Sequence, residues 1–241
     1  MTDPTRAADQ TPDGLDLDAP GWQQRKSAQT RVAILEAAID RLGKVGWART
    51  TTQEIAEAAG VSRGAMLHHY ATKLDLVAGV IDYIFYRRMR VFAEQVGALS
   101  EHARVEEQQG LELLWQTMLG REYQAQVELA VAAKTDSDLA ALFEPAAIRF
   151  NQAWREEIGK LFPEWSRTGD RLLLAVEVAQ ATLEGVLLYR AIGPERARRV
   201  AVRRVLYTAL LLLRDGRRAP RAAQASSTAA TGARSSVPNR S

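Results

Sequence analysis

The sequence predicts an all-α fold. Apolar residues recur at helical spacing through most of the chain, no run sustains an alternation of period two, and the Gly- and Pro-marked breaks are widely spaced. The first helix is expected over 27–44, where Val32, Leu35, Ile39, Leu42 and Val45 form one apolar stripe and Gly46 stops the run. Two short helices follow at 52–59 and 63–70, separated by Gly60-Val61-Ser62. A long helix starts near Lys73 and carries Leu76, Val80, Ile84, Met89 and Phe92 towards Leu99. Further helices fit 105–119, 122–134, 138–161, 171–192 and 195–214, with breaks at Gly120, Thr135-Asp136, Phe162-Pro163 and Gly193-Pro194, giving about nine in all.

The ends read differently. Residues 1–22 are rich in Asp, Pro, Thr and Ala, with little to bury, and are expected to be a disordered tail; 216–241, rich in Ala, Ser, Thr and Arg, reads as a second, basic one. Between them the expectation is a three-helix module at 23–72 and a larger helical body at 73–215.

Composition narrows the function classes. An apolar fraction of 46% and a charged fraction of 25% are those of an ordinary globular protein. Without a single cysteine, disulfides, thiolate metal sites and a cysteine nucleophile are excluded. The Asp-rich start lacks the basic end and apolar run of a secretion signal, and no stretch reaches the ~20 apolar residues that span a bilayer, so no membrane partner and a cytoplasmic location are expected. The net charge of +3 is small, but it is unevenly spread: −4 over 1–22, +4 over 23–73, −2 over 74–213 and +5 from Arg214 onward. A basic module on a near-neutral body is the asymmetry of a nucleic-acid-binding domain attached to something else, although a solvated surface also accounts for an excess of this size.

The strongest local pattern runs from Thr51 to Tyr70 and reads as a helix-turn-helix. Thr51 or Thr52 caps its first helix and Ser62 its second. Ala56 is small where two helices cross, and Gly60 supplies the left-handed turn. Val61 plugs the angle between the helices, while Ile55, Met66 and Tyr70 face a core. Arg63, Gly64, Ala65, Leu67 and His68 are left on the outward side and leading end of the second helix, which suits insertion into the major groove of double-stranded DNA. Two short bundle helices joined by a glycine turn would show the same spacing.

The residues Gly46-Trp47, Thr51-Thr52, Ile55-Ala56, Ala59-Gly60-Val61-Ser62, Gly64, His69-Tyr70, Lys73 and Leu76, at the spacing they have here, resemble the signature of the TetR/AcrR family over about residues 27–80. The resemblance implies a homodimeric DNA-binding regulator whose C-terminal body receives a small molecule. It places Thr52 and Gln53 where the family's first short helix meets the DNA backbone, Ser62, Arg63, Gly64, Ala65, Leu67 and His68 on the recognition helix, and His69 and Lys73 at phosphate-contacting positions. Many members have Thr where this chain has Ala65 and Tyr where it has Leu67. The loss of both hydroxyls leaves apolar contacts suited to a thymine methyl and shifts base reading to Arg63, Gln53 and His68.

In the body, Trp115, Met118, Tyr123, Phe143, Phe150 and Trp154, with Gln180 and Glu184 as polar groups, are the expected effector pocket; an aromatic and Met set of this kind is also ordinary core. The effector expected there is small and mostly hydrophobic. The 171–192 run is apolar on nearly every face and the 195–214 run nearly so, which predicts that the last two helices pair with a second copy, although a core within one chain would also cover them. No cofactor, metal site or catalytic group is expected. His68 and His69 point about 100° apart on a helix and cannot chelate one ion, and neither a phosphate-cradling glycine loop nor a nucleophile elbow is present. The expected function is therefore a repressor released from a near-palindromic operator by its effector. An activator, and a helical ligand-binding protein that no longer reads DNA, are the alternatives.

Overall fold

The computed structural model describes residues 11–100, 107–161, 170–189, 202 and 204–209, and among these every regular element is a helix. In chain order they are α1 (Trp22–Val45), α2 (Thr52–Ala58), α3 (Arg63–His69), α4 (Lys73–Gly97), α5 (Glu107–Leu119), α6 (Arg121–Ala132), α7 (Ser137–Leu161) and α8 (Asp170–Tyr189). Residues 204–209 are helical as well. The C-terminal tail, and most of the helix expected over 195–214, lie outside the described residues.

One apolar cluster runs through the chain. It takes Ile34, Leu35 and Ile39 from α1, Ile55 from α2 and Met66 from α3, and continues through α4 into Leu129, Leu139, Phe150 and Leu183 of the body. The core is thus continuous across the expected boundary between 72 and 73. The spine is α4, where Leu76, Val80, Ile84, Arg88, Phe92 and Val96, each four residues from the last, are all buried. Against it α7 lays an aromatic ladder: Phe150 stacks on Phe85 at 4.5 Å between ring centres, and Trp154 meets Phe92 at 4.5 Å.

The N-terminal end corrects the sequence reading. α1 begins at Trp22, five residues before the expected start, and residues 11–21 are not a free tail. Leu15 and Ala19 are buried, the Arg25 guanidinium donates to the carbonyls of Ala19 and Pro20, and the hydroxyls of Thr11 and Tyr86 lie 3.3 Å apart. Two leucines among aspartates and prolines give no helical periodicity, yet one of them, Leu15, is enough to anchor a short segment when a groove waits for it. Residues 1–10 lie outside the described set.

α1 also packs lengthwise on α6, where Arg121 donates to Glu36 and, at 2.8 Å, to Asp40. The capping choice left open by sequence falls to Thr51. Its hydroxyl accepts from the Glu54 amide at 3.3 Å, and the Glu54 carboxylate accepts from the Thr51 amide at 3.2 Å. Thr51→Ala is expected to lower stability by about 1 kcal/mol, and Thr52→Ala by less than about 0.5 kcal/mol. A urea midpoint shifted equally by both would remove the distinction.

Candidate nucleic-acid interface

The geometry of α3 follows from the few residues before it. Gly60 sits at φ +67, with open space around the position of a missing Cβ, so backbone conformation alone calls for glycine there. The Val61 amide donates to the Ala56 carbonyl at 3.0 Å, which closes the turn. Ser62 Oγ then accepts from the Ala65 amide at 3.1 Å and starts α3. Ile55, Ala56 and Met66 are at most 3% exposed, so the two helices are locked through their small inner faces.

The outer face of α3 is bare. Arg63, Gly64, Leu67 and His68 are exposed, and Ala65 is half-buried. Leu67 is 44% exposed, a large apolar group left facing solvent on a helix that had a polar alternative. Among the described residues Arg63 makes no ion pair, and a Cβ on Gly64 would meet nothing closer than 4.0 Å. Glycine is therefore not demanded there by packing, and its bare backbone leaves room for another chain to approach the helix start. On α2, Gln53 is exposed and its amide is held by Glu57 at 3.1 Å, while Thr52 stands at the helix start. His69 is half-buried, and burial, followed by the Arg31 and His68 charges, holds its imidazole below the ordinary range. It is thus a neutral N–H donor near neutral pH, suited to a phosphate oxygen without adding charge.

Lys73 departs from the expected free phosphate contact. Its ammonium donates to the Trp47 carbonyl at 3.0 Å and stands 3.7 Å from the centre of the Trp47 ring. Burial pushes its pKa down, against the opposing pull of Asp136. Trp47 is the centre of a clasp: its amide donates to Glu128 at 2.8 Å and its indole to Asp136 at 2.9 Å. The loop between α1 and α2 is thereby fixed to both ends of the α6–α7 corner. Sequence reasoning met Trp47 only in a motif and Asp136 only as a helix break, and gave neither a partner.

Cavities lie in the body among the described residues. One of about 430 Å³ is walled by α1, α4, α7 and residues 11–15, with Phe150 in its lining. Another, of about 260 Å³, lies between α7 and α8, lined by Trp154, Ile158, Val176, Gln180 and Glu184 among others. The expected pocket set is therefore divided: Phe150 belongs to the first cavity, Trp154, Gln180 and Glu184 to the second. Trp115, Met118, Tyr123 and Phe143 are buried and line neither of the two, because their rings and thioether fill the packing among α4, α5, α6 and α7. An unexpected charge in the same packing is Arg88, which lines neither cavity and is buried on α4 with its guanidinium 4.8 Å from the Tyr123 ring and 4.9 Å from Phe150. The signal for it was available, since Arg88 continues the four-residue series of apolar positions from Leu76.

Residues 34–80 match the family model described as bacterial regulatory proteins, tetR family. An HTH-type transcriptional repressor of Mycobacterium tuberculosis is 30% identical over 185 residues, which cover 68% of this chain and 96% of that protein. An HTH-type transcriptional regulator of the same species is 32% identical over 117 residues, 48% of this chain; there the chain spans only 60% of the relative's length. In fold, the chain is similar to a solved tetR-family member from Streptomyces coelicolor, with a TM-score of 0.52 at 24% identity over 75% of this chain and 97% of that one.

Proposed function

The chain belongs to the tetR family of bacterial regulatory proteins and is a DNA-binding transcriptional regulator; from that premise we propose a homodimeric repressor that leaves a palindromic operator when a small, mostly hydrophobic effector enters its body. The observation that carries the reading is the bare outer face of α3, held on a rigid, capped turn with Arg63, Leu67 and His68 outward. Ser62 and the α3 amides serve as phosphate donors, with Thr52 and His69 beside them, and Gln53 is released from Glu57 to reach the DNA. Ala65 and Leu67 offer methyl groups to thymine, and Arg63 takes guanine. A regulator of its own genome works in the cytoplasm, and this reading includes no catalytic step. The repressor named among its relatives supports the direction of regulation.

The effector acts by linkage. It binds more tightly to a dimer whose two α3 helices are wrongly spaced, so it lowers operator affinity by that difference. Two routes join body to DNA module: α4, continuous from Lys73, and the Trp47 clasp on the α6–α7 corner. The test is a gel shift on the chain's own upstream region across a salt series. Salt-sensitive binding that prefers a near-palindrome is expected, with Arg63→Ala weakening the operator by about tenfold and random DNA by less than threefold. Equal losses on both would defeat base reading by Arg63, and weak, sequence-blind binding by the native chain would defeat the regulator's specificity.

A further inference from the structure

Residues 11–21 cross the junction between the DNA module and the body, and little holds them there. Their fixed end is the start of α1, where the Arg25 guanidinium donates to the carbonyls of Ala19 and Pro20 at 2.7 and 3.1 Å. Further out, the Leu15 amide donates to the Pro12 carbonyl at 3.0 Å and closes a turn in which Gly14 sits at φ +75. That turn brings in one buried side chain, Leu15, and the segment adds one long contact, between the Thr11 and Tyr86 hydroxyls. A segment fastened by a single leucine opens far more readily than the helices beneath it.

Beneath it is the cavity of about 430 Å³. Residues 11–13 and Leu15 form one wall, and the buried side chains of Leu35, Phe85, Met89 and Phe150 make much of the rest apolar. The charges in the lining are balanced, Asp13 and Asp82 against Arg31 and Arg149, and Asp82 faces the Arg149 charge. No net charge selects an ion, so the lining favours a neutral, mostly apolar occupant. The cavity also reaches the reading helix, because Tyr70, the residue that ends α3, is part of its lining. A Cβ on Gly79 would lie 3.0 Å from the Tyr70 ring, so the ring already rests on the bare backbone of α4. An occupant that presses on Tyr70 cannot drive it further towards α4 and displaces α3 instead. The smaller cavity has no such reach, since residues of α7 and α8 alone line it.

We propose that residues 11–19 are a lid over an effector site in this junction cavity, hinged where Arg25 holds Ala19 and Pro20, and that the site takes a small, neutral and mostly apolar molecule. The assignment deepens the effector reading given above and rests on it only for the consequence on DNA. With the lid seated, Leu15 covers the site. A bound molecule touches Tyr70 of the DNA module and Phe150 of the body together, and so favours one spacing of α3 over another.

The test uses phenylnaphthylamine, a neutral probe that brightens on leaving water, and its sulfonate, which adds one negative charge. The native full chain is expected to bind the neutral probe at least about threefold more tightly than the sulfonate. Ala153→Phe, which fills the junction cavity, should abolish that binding, and Val176→Phe, which fills the smaller cavity, should leave it unchanged. Leu15→Ser should speed association of the probe by at least about tenfold, because the lid then stands open most of the time. The chain has no cysteine, so a nitroxide on Leu17→Cys, an exposed position of the lid, reads its motion directly. The slow, seated spectrum of that label should become a fast one when Leu15→Ser is added. Equal association rates with and without Leu15→Ser overturn the lid. Probe binding that survives Ala153→Phe, or is absent from the native chain, overturns the site, and tighter binding of the sulfonate overturns the ligand class. Should Ala153→Phe fail to fold, judged by circular dichroism, the Val176→Phe and Leu15→Ser results still decide between the cavities. A gel shift with the probe separates the two claims: lid-controlled binding with unchanged operator affinity supports the lidded site and defeats effector release from it.

Discussion

Gly46→Val is expected to destabilise the protein by about 3–5 kcal/mol and to loosen the DNA-binding module from the body. Gly46 ends α1 at φ 81 and ψ 170, a region that residues with a side chain hardly enter, so strain alone costs about 1–3 kcal/mol. A Cβ there would also lie 2.7 Å from Glu128 Oε1. The carboxylate is flexible and can swing away, but the same oxygen accepts the Trp47 amide at 2.8 Å. Relieving the clash therefore breaks a charge-assisted hydrogen bond, worth a further ~1.5–3 kcal/mol. Gly43→Ala, three residues earlier on an exposed face of α1 with its nearest neighbour atom at 3.9 Å, is the control. It should stabilise by about 0.5–1 kcal/mol, because alanine suits a helix interior and nothing is displaced. Urea unfolding of the two variants should move in opposite directions; a common direction would defeat this account of the clasp.

The contrast between those two glycines shows what was legible in the sequence. Helix starts and stops are local chemistry. Gly46, Gly60, Ser62 and the Thr51–Thr52 pair announce themselves within a few residues, and the structure places each at the end or start of a helix. The scaffold of α2 and α3 was readable for the same reason, and so was the outward set on α3. The engagement of Lys73 was not. Its partner Trp47 is 26 residues away, and the acid that holds Trp47 is 89 residues away from it. No periodicity encodes pairings of that range, so a lysine placed by resemblance at a phosphate position proves to be turned towards its own protein.

The division of the expected pocket residues between cavity and packing was not legible for a different reason. Aromatic residues at helical spacing mark buried positions, and burial does not separate a filled core from a lined cavity. Phe143 and Trp154 lie eleven residues apart on the same helix, yet the first packs on Phe85 and the second borders a cavity. Arg88, on the buried face of α4 where an apolar residue would have cost nothing, lines neither cavity.

The second large effect concerns the proposed partner copy. Leu174→Arg with Val178→Arg is expected to leave a monomer and to weaken operator binding by at least about a hundredfold, because a single α3 then reads a half-site. α8 has two apolar faces. Ala179 and Leu183 are buried against the body, whereas Leu174 and Val178 are 53% and 47% exposed, four residues apart. Ala181 and Gly185 continue that outer stripe, and the space beside Gly185 is open. Val205, on the 204–209 helical stretch, is 69% exposed as well. Large apolar groups in line, with small residues that permit close approach, are what a helix pairing with its own copy requires. Ile148 on α7 is 59% exposed but stands outside this stripe, so Ile148→Arg should leave both association and operator affinity unchanged. Sedimentation reads the first property and gel shift the second. If the double variant stays dimeric, the stripe is ordinary surface and the two reading helices are brought together by another face. If it becomes monomeric and still holds the operator at native affinity, one α3 suffices, and the palindrome is not what the protein reads.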